Sequence, residues 1–314
     1  MSIKFSIVFP GQGSQSVTML ADLASAYPVV SETFQEASDA LDLDLWKMTQ
    51  AGPAEALNLT HNTQPAMLAA GIAVWRVWSE QGGLQPALMA GHSLGEYSAL
   101  VATGSLGFSD TVKLVAERGR LMQEAVPEGV GAMAAILGLD DDKVRELCAE
   151  AAETEVVEAV NFNSPGQVVV AGNQSAVDRM TVLAKAAGAK RALPLPVSVP
   201  SHCALMKPAA EKLATYLKEV NITAPSIPVI HNVTVAEANS PDKIRKLLAQ
   251  QLYSPVRWVE TIQAMVENES QYIVEAGPGK VLAGLCKRID RAVNGLAVFD
   301  PASLEKAMET INAQ

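Results

Sequence analysis

Short apolar runs alternate with longer segments of helical period along nearly the whole chain. Phe5 to Phe9, Ala87 to Ala90, Pro228 to Asn232, Tyr272 to Glu275 and Leu296 to Phe299 have the length and composition of core strands, and turn residues close most of them. Between them, Ala21 to Gly82 reads as mainly helical, with breaks expected at Pro53 and at the polar Thr60-His-Asn-Thr63. Pro65 to Trp78 is apolar nearly all round, the mark of a buried helix. Helices are also expected over Glu96 to Ala102, Thr111 to Ala125 with Ser109-Asp110 as N-cap, Met206 to Val220, Val256 to Val266, Lys280 to Ile289 and Ser303 to Ile311, and another opens at Ser240-Pro-Asp-Lys243. Repeated alternation of strand and helix predicts an α/β fold with a mostly parallel sheet covered by helices.

At Pro127-Glu-Gly-Val-Gly131 the character changes. Ala132 to Leu139 reads as a strand, Lys143 to Ala152 as a helix, and Val156 to Asn161 and Gln167 to Ala171 as strands. Ser175 to Ala187 is then helical and Arg191 to Val197 strand-like. The order βαββαβ is that of a ferredoxin-like unit. The expected organisation is therefore a discontinuous large subdomain, residues 1–127 and 199–314, interrupted by a small one at 128–198.

Composition narrows the classes. With 314 residues, 49% of them hydrophobic, the chain can bury a large core. Its 24 Lys+Arg against 34 Asp+Glu give a formal charge of −10, which argues against nucleic acid and anionic membrane surfaces as partners. The amino-terminal stretch lacks the pattern of a signal peptide and no run approaches membrane-spanning length, so the cytoplasm is the expected location. Cys148, Cys203 and Cys286 are widely spaced and odd in number, which fits neither a disulfide framework nor a metal knuckle.

The chemistry centres on Gly91-His-Ser-Leu-Gly95, which follows the strand at Ala87 to Ala90 and leads into the helix at Glu96. Strand, sharp turn, helix is the context of a nucleophile elbow: the serine hydroxyl is held clear of the sheet, and a side chain at either flanking glycine would collide with neighbouring elements. Ser93 is the candidate nucleophile; the alternative is an ordinary turn serine. The glycine-rich loop Pro10-Gly-Gln-Gly-Ser-Gln15 after the first strand meets neither nucleotide-binding spacing, but it could bring the Gln12 N–H beside the elbow as an oxyanion donor.

Of the four histidines, His61 lies in a polar turn, His231 ends a strand, and His92 sits within the elbow with its side chain expected to diverge from Ser93. His202 falls where the inserted unit returns to the large subdomain, and it is the candidate base; a satisfied core histidine is the alternative. Arg118 interrupts an apolar helix face, for which a surface ion pair with Glu117 or Glu124 is the plain reading.

Six blocks occur in order: Gly11-Gln-Gly-Ser-Gln15, Gly91-His-Ser-Leu-Gly-Glu96, Arg118-Gly-Arg-Leu-Met122, Asn161-Phe-Asn-Ser-Pro-Gly-Gln167, Pro200-Ser-His202 and Gln251. Together they resemble the malonyl-CoA:acyl carrier protein transacylases of fatty acid synthesis, across nearly the whole chain. The resemblance implies an α/β-hydrolase-like large subdomain with a ferredoxin-like insert. It implies a Ser93–His202 dyad whose histidine is oriented by the main-chain carbonyl of Gln251, and an oxyanion hole from the N–H groups of Gln12 and Leu94. Arg118 would pair with the malonyl carboxylate, as a planar fork suits. Met122, Asn161, Ser201 and His92 would lie at the substrate. The implied partners are malonyl-CoA and acyl carrier protein, with no metal or prosthetic group required; the oligomeric state is open, with a monomer as the default expectation. Since carrier protein is expected to be acidic, Lys190, Arg191, Lys280, Lys287 and Arg288 are the basic positions available to dock it. A serine hydrolase is the rival, but neither an H-G-G-G loop nor an evident triad acid is present. A non-catalytic acyl-binding module is the other; it would never form an ester.

Overall fold

A computed structural model describes residues 4–127, 129–197 and 199–313; the boundary residues Glu128 and Ser198 and the terminal residues 1–3 and 314 lie outside the described residues. The chain packs as two compact units, Met1–Gly119 with Val220–Ile244 and Thr261–Gln314, and Arg120–Glu219 with Arg245–Glu260.

In the first unit, β1 (Phe5–Phe9) is buried at every position, as a strand covered on both faces must be. It lies between β2 (Leu88–Gly91) and the later strands, paired parallel to both of its neighbours. The inserted strands are β3 (Gly131–Leu137), β4 (Val157–Ser164), β5 (Gln167–Asn173) and β6 (Arg191–Pro194). Then come β7 (Val229–His231), β8 (Ala236–Glu237), β9 (Tyr272–Ala276) and β10 (Asn294–Val298). The first unit's sheet runs β10-β9-β1-β2-β7-β8, parallel except for the short edge strand β8, whose two exposed residues give no apolar signal in the sequence. The Thr60–Glu80 helix is buried on nearly all sides, and its Gly71 lets it approach the Phe9 ring.

The second unit's sheet runs β4-β5-β3-β6 and is antiparallel throughout. With helices Asp141–Ala152 and Gln174–Ala186 it has the expected βαββαβ order. One sheet face packs on both helices through Ile136, Val144, Leu147, Val170, Val177 and Met180. The other carries Met133, Val160, Val169 and Ala171 around Cys203.

Several boundaries differ from expectation for local reasons. Thr60-His-Asn-Thr63 starts a helix, because Thr63 Oγ1 donates back to Leu57 O at 2.6 Å and the polar side chains serve the helix end. The helix expected from Thr111 begins at Phe108, so Ser109 lies inside it and its hydroxyl donates to Glu36 Oε1. Val256 belongs to a strand-like bridge with Asn161, and the helix after it begins at Trp258. The helix expected to reach Val220 ends at Tyr216.

Candidate active site

β2 ends at Gly91 and the Gly95–Ala102 helix follows at once, so the chain turns within His92-Ser93-Leu94. Ser93 takes the left-handed conformation, φ 52°, at a cost of roughly 1–3 kcal/mol for a residue with a side chain. The flanking glycines make the turn possible. A Cβ on Gly95 would stand 2.0 Å from Phe9 O, and one on Gly91 would stand 1.8 Å from the carbonyl carbon of Gly95. The loop after β1 lies against this elbow: His92 N–H donates to Phe9 O at 3.0 Å, and a Cβ on Gly11 would stand 2.5 Å from His92 O.

The Ser93 N–H is engaged within the elbow, donating to Asn232 Oδ1 at 2.8 Å. The N–H groups of Leu94 and Gln12 have no acceptor among the described residues. Both are therefore open to an anion, on the two loops that the sequence pairs for that role.

Arg118 is buried, 1% exposed. Its Nη1 donates to Gln64 Oε1 at 2.7 Å and its Nη2 lies 3.4 Å from Ser93 Oγ. The guanidinium also stands 5.4 Å from the centre of the Tyr97 ring. Burial pulls its pKa below the ordinary value, and the Tyr97 and Glu96 side chains pull it back. The surface ion pair considered for Arg118 does not describe this residue; Arg120 is the partner of Glu124. From Gln64 a chain of hydrogen bonds continues, Nε2 to Thr60 Oγ1 at 3.1 Å and Thr60 Oγ1 to Gln12 Oε1 at 3.0 Å. Arginine, glutamine, threonine and the loop carrying Gln12 are thus connected in series.

In the second unit His202 is 3% exposed and also left-handed, φ 67°. Its backbone N–H donates to Leu252 O at 2.9 Å, and its Nδ1 lies 2.8 Å from the carbonyl oxygen of buried Gln251. A carbonyl only accepts, so Nδ1 carries the proton and Nε2 keeps the lone pair a base requires. The next residue anchors this loop: Cys203 packs on the free face of the antiparallel sheet and donates to Pro200 O. Burial pushes the Cys203 thiol up to about 12, far from a thiolate nucleophile at neutral pH.

The remaining expected positions are distributed as follows. Asn161 sits at a register shift in β4, and its Oδ1 is buried with no hydrogen-bond partner among the described residues. Met122 is buried, Ser201 is half-buried, and the His92 carbonyl accepts from Gly95 N–H. Lys190, Arg191, Lys280, Lys287 and Arg288 are all exposed. A cavity of about 660 Å³ in the second unit is lined by Lys207, Lys218, Arg245 and Lys246, a basic cluster passed over in the sequence. No group of three or more metal-ligating side chains occurs among the described residues.

The acyl transferase domain family matches residues 6–298. The chain belongs to that family. It is 58% identical to the malonyl CoA-acyl carrier protein transacylase of Escherichia coli over 306 residues, 98% of this chain and 99% of the relative. The crystal structure of an acyl carrier protein S-malonyltransferase from Vibrio cholerae is 60% identical with TM-score 0.95, covering 97% of this chain and 99% of that one. A type II PKS acyl-carrier protein in complex with its malonyl-transacylase gives TM-score 0.97 at 57% identity, covering 98% and 99%.

Within this acyl transferase fold, sequence reasoning missed four residues around Ser93: Gln64, Thr60, Glu96 and Asn232. Two left a trace. Glu96 belongs to the elbow block itself, and Asn232 directly follows β7, at the carboxyl end of a parallel strand beside β2, where α/β folds gather functional groups. Thr60 sits in a polar stretch that read as a break, Gln64 directly follows that stretch, and nothing local marks either.

Proposed function

We propose that the chain moves a malonyl group from coenzyme A to the phosphopantetheine thiol of acyl carrier protein in fatty acid synthesis, by way of a malonyl ester on Ser93. The observation that carries the reading is the buried guanidinium of Arg118 with Nη2 3.4 Å from the Ser93 hydroxyl. A nucleophile with a fixed cation at its side suits an acyl group whose far end is an acid. In the proposed cycle His202 Nε2 takes the Ser93 proton as Oγ attacks the thioester carbonyl. The carbon–sulfur bond then breaks, and coenzyme A leaves with that proton. The carrier thiol next gives its proton to His202 and attacks the ester, and the proton returns to Ser93. The Gln12 and Leu94 N–H groups would hold the oxyanion in both halves, each worth roughly 10²–10³ in rate. Gln251 keeps His202 in the tautomer that can act as base. Met122, Asn161, Ser201 and His92 are assigned to the substrate pocket, and the exposed Lys287 and Arg288 to carrier-protein docking, with Lys190, Arg191 and Lys280 as further contacts.

The proposal includes a cytoplasmic, monomeric enzyme without metal or prosthetic group, organised as 1–127 with 199–314 around 128–198. No described helix is long and apolar enough to cross a membrane. The test is intact mass spectrometry after malonyl-CoA is added without acceptor. The chain should gain one malonyl group on Ser93, lose it to added carrier protein, and gain nothing as Ser93→Ala. An adduct persisting in that variant would refute the nucleophile. Free malonate without transfer would point to a hydrolase.

A further inference from the structure

The elbow is held by a buried polar group that the proposed chemistry does not itself use. The Asn232 side chain spans the turn: Nδ2 donates to Gly91 O at 2.7 Å on the strand side, while Oδ1 accepts the Ser93 N–H at 2.8 Å on the helix side. Asn232 is in turn fixed by Glu96, from the first turn of the helix after the elbow. Its backbone N–H donates to Glu96 Oε2 at 2.9 Å, and Glu96 Oε1 accepts from His231 Nδ1 at 2.7 Å. Glu96, His231 and Asn232 are each fully buried. The end of β2, the nucleophile, the helix that follows and the end of β7 therefore share one hydrogen-bonded group.

We infer that Asn232, braced by Glu96 and His231, is a positioning residue for the reaction, setting the left-handed backbone of Ser93 and the direction of its hydroxyl. Two physical points support this. First, the φ of 52° at Ser93 is unfavourable for a residue with a Cβ and persists only where surroundings over-determine it; the amide bridge supplies bonds on both sides of the turn. Second, by occupying the Ser93 N–H, Asn232 settles which donors remain for an anion: Leu94 and Gln12. Without the bridge the Ser93 N–H competes for the same oxygen, and a hydroxyl displaced by even a fraction of an ångström loses its line to the thioester carbon. The buried carboxylate keeps both oxygens hydrogen-bonded within the group.

The inference rests on Ser93 being the acylated residue, and the experiment separates the two claims. Single-turnover acylation by malonyl-CoA is followed by rapid quench and mass spectrometry in wild type, Asn232→Ala and Asn232→Asp. Malonyl-CoA affinity is measured for each substitution on a Ser93→Ala background, and folding by thermal unfolding. Asn232→Ala should slow acylation about 10- to 100-fold with affinity within about twofold of the parent, a split that mere loss of stability does not produce. Asn232→Asp keeps an acceptor for the Ser93 N–H but sets an acceptor against Gly91 O; it should also acylate more slowly than wild type, and it serves if the alanine variant does not fold. A wild-type adduct on Ser93 with unchanged acylation in a folded Asn232 variant overturns the inference alone. Absence of any Ser93 adduct in wild type overturns the nucleophile assignment and the inference with it.

Discussion

Replacing Arg118 with alanine should change which acyl group is transferred more than whether one is. The guanidinium is 1% exposed, fixed by Gln64 at 2.7 Å and backed by the Tyr97 ring, so the variant loses a buried charge held at a set position. A hydrogen bond to a charged group is worth roughly 1.5–3 kcal/mol, and each 1.4 kcal/mol is about tenfold. Malonyl transfer should therefore fall about 10- to 150-fold. Burial favours the upper part of that range, since the substrate carboxylate would be desolvated without a partner. Acetyl transfer has no carboxylate to lose. Both substrates suffer equally from the cavity and from the lost hydrogen bond to Gln64, so these costs cancel in the ratio. The assay is kcat/KM for malonyl-CoA over kcat/KM for acetyl-CoA with carrier protein as acceptor. That ratio should drop at least about tenfold in Arg118→Ala and by less in Arg118→Lys, which keeps a charge but not the planar fork. An unchanged ratio in a folded Arg118→Ala protein would remove Arg118 from carboxylate recognition.

Three further outcomes follow from the geometry. Gly95→Ala places a methyl 2.0 Å from the Phe9 carbonyl oxygen, backbone of a central strand that cannot rotate away, so the fold should lose about 3 kcal/mol or more; a wild-type urea midpoint would contradict the packing described. Glu275 is buried beneath the Val281–Ile289 helix, and burial pushes its carboxyl from 4.5 up to about 7 against the opposing effect of N–H groups from Ala283, Leu282 and Val281. The folded chain then keeps a proton that the unfolded chain releases near 4.5, so this group's stabilisation is fully present below that pH and lost as pH rises through about 7, about 3 kcal/mol in all. Glu275→Gln should flatten that slope in denaturant titrations between these pH values, and a slope identical to wild type would exclude Glu275 as its source. Reversing Lys287 and Arg288 to glutamate should raise KM for carrier protein at low salt, with the difference shrinking as salt rises; an unaltered KM would move docking elsewhere, the Lys207–Lys246 cluster being the next surface to test.

Both sheets were legible because their signals are local. Phe5–Phe9 and Tyr272–Ala276 are largely apolar runs of strand length, and the insert announces itself through the partial alternation of Val157–Ser164 and the continuous apolar run within Gln167–Asn173. The elbow could be read too, since Gly91 and Gly95 are required by close approach of backbone to backbone, a constraint the sequence records directly. The edge strand Ala236–Glu237 could not, because two exposed residues at a sheet edge need no apolar pattern. Gln64 and Thr60 were illegible for a different reason. Each acts through hydrogen bonds to residues far away in the chain, Gln64 to Arg118 and Thr60 to Gln12, and no local periodicity encodes a partner at that separation.

His202 marks the limit of reading strain from residue type. Ser93 and His202 both have positive φ, yet only the serine is flanked by glycines that advertise a tight turn. At His202 the conformation is held by position-specific bonds: the N–H to Leu252 O, Nδ1 to Gln251 O, and the neighbouring Cys203 packed on the sheet face. One backbone bond, one ring-to-carbonyl bond and one apolar anchor can offset the roughly 1–3 kcal/mol that such a conformation costs. The bond from Nδ1 to Gln251 O also fixes the ring's tautomer, so in the proposed mechanism one contact serves both the strained conformation and the basic nitrogen. The first unit is built on the same logic with different parts, since the hydrogen bonds that seat Arg118 run on through Gln64 and Thr60 to the Gln12 loop. Recognition of the acid end of the substrate and placement of an oxyanion donor would then be coupled, and a change at Gln64 would disturb both at once.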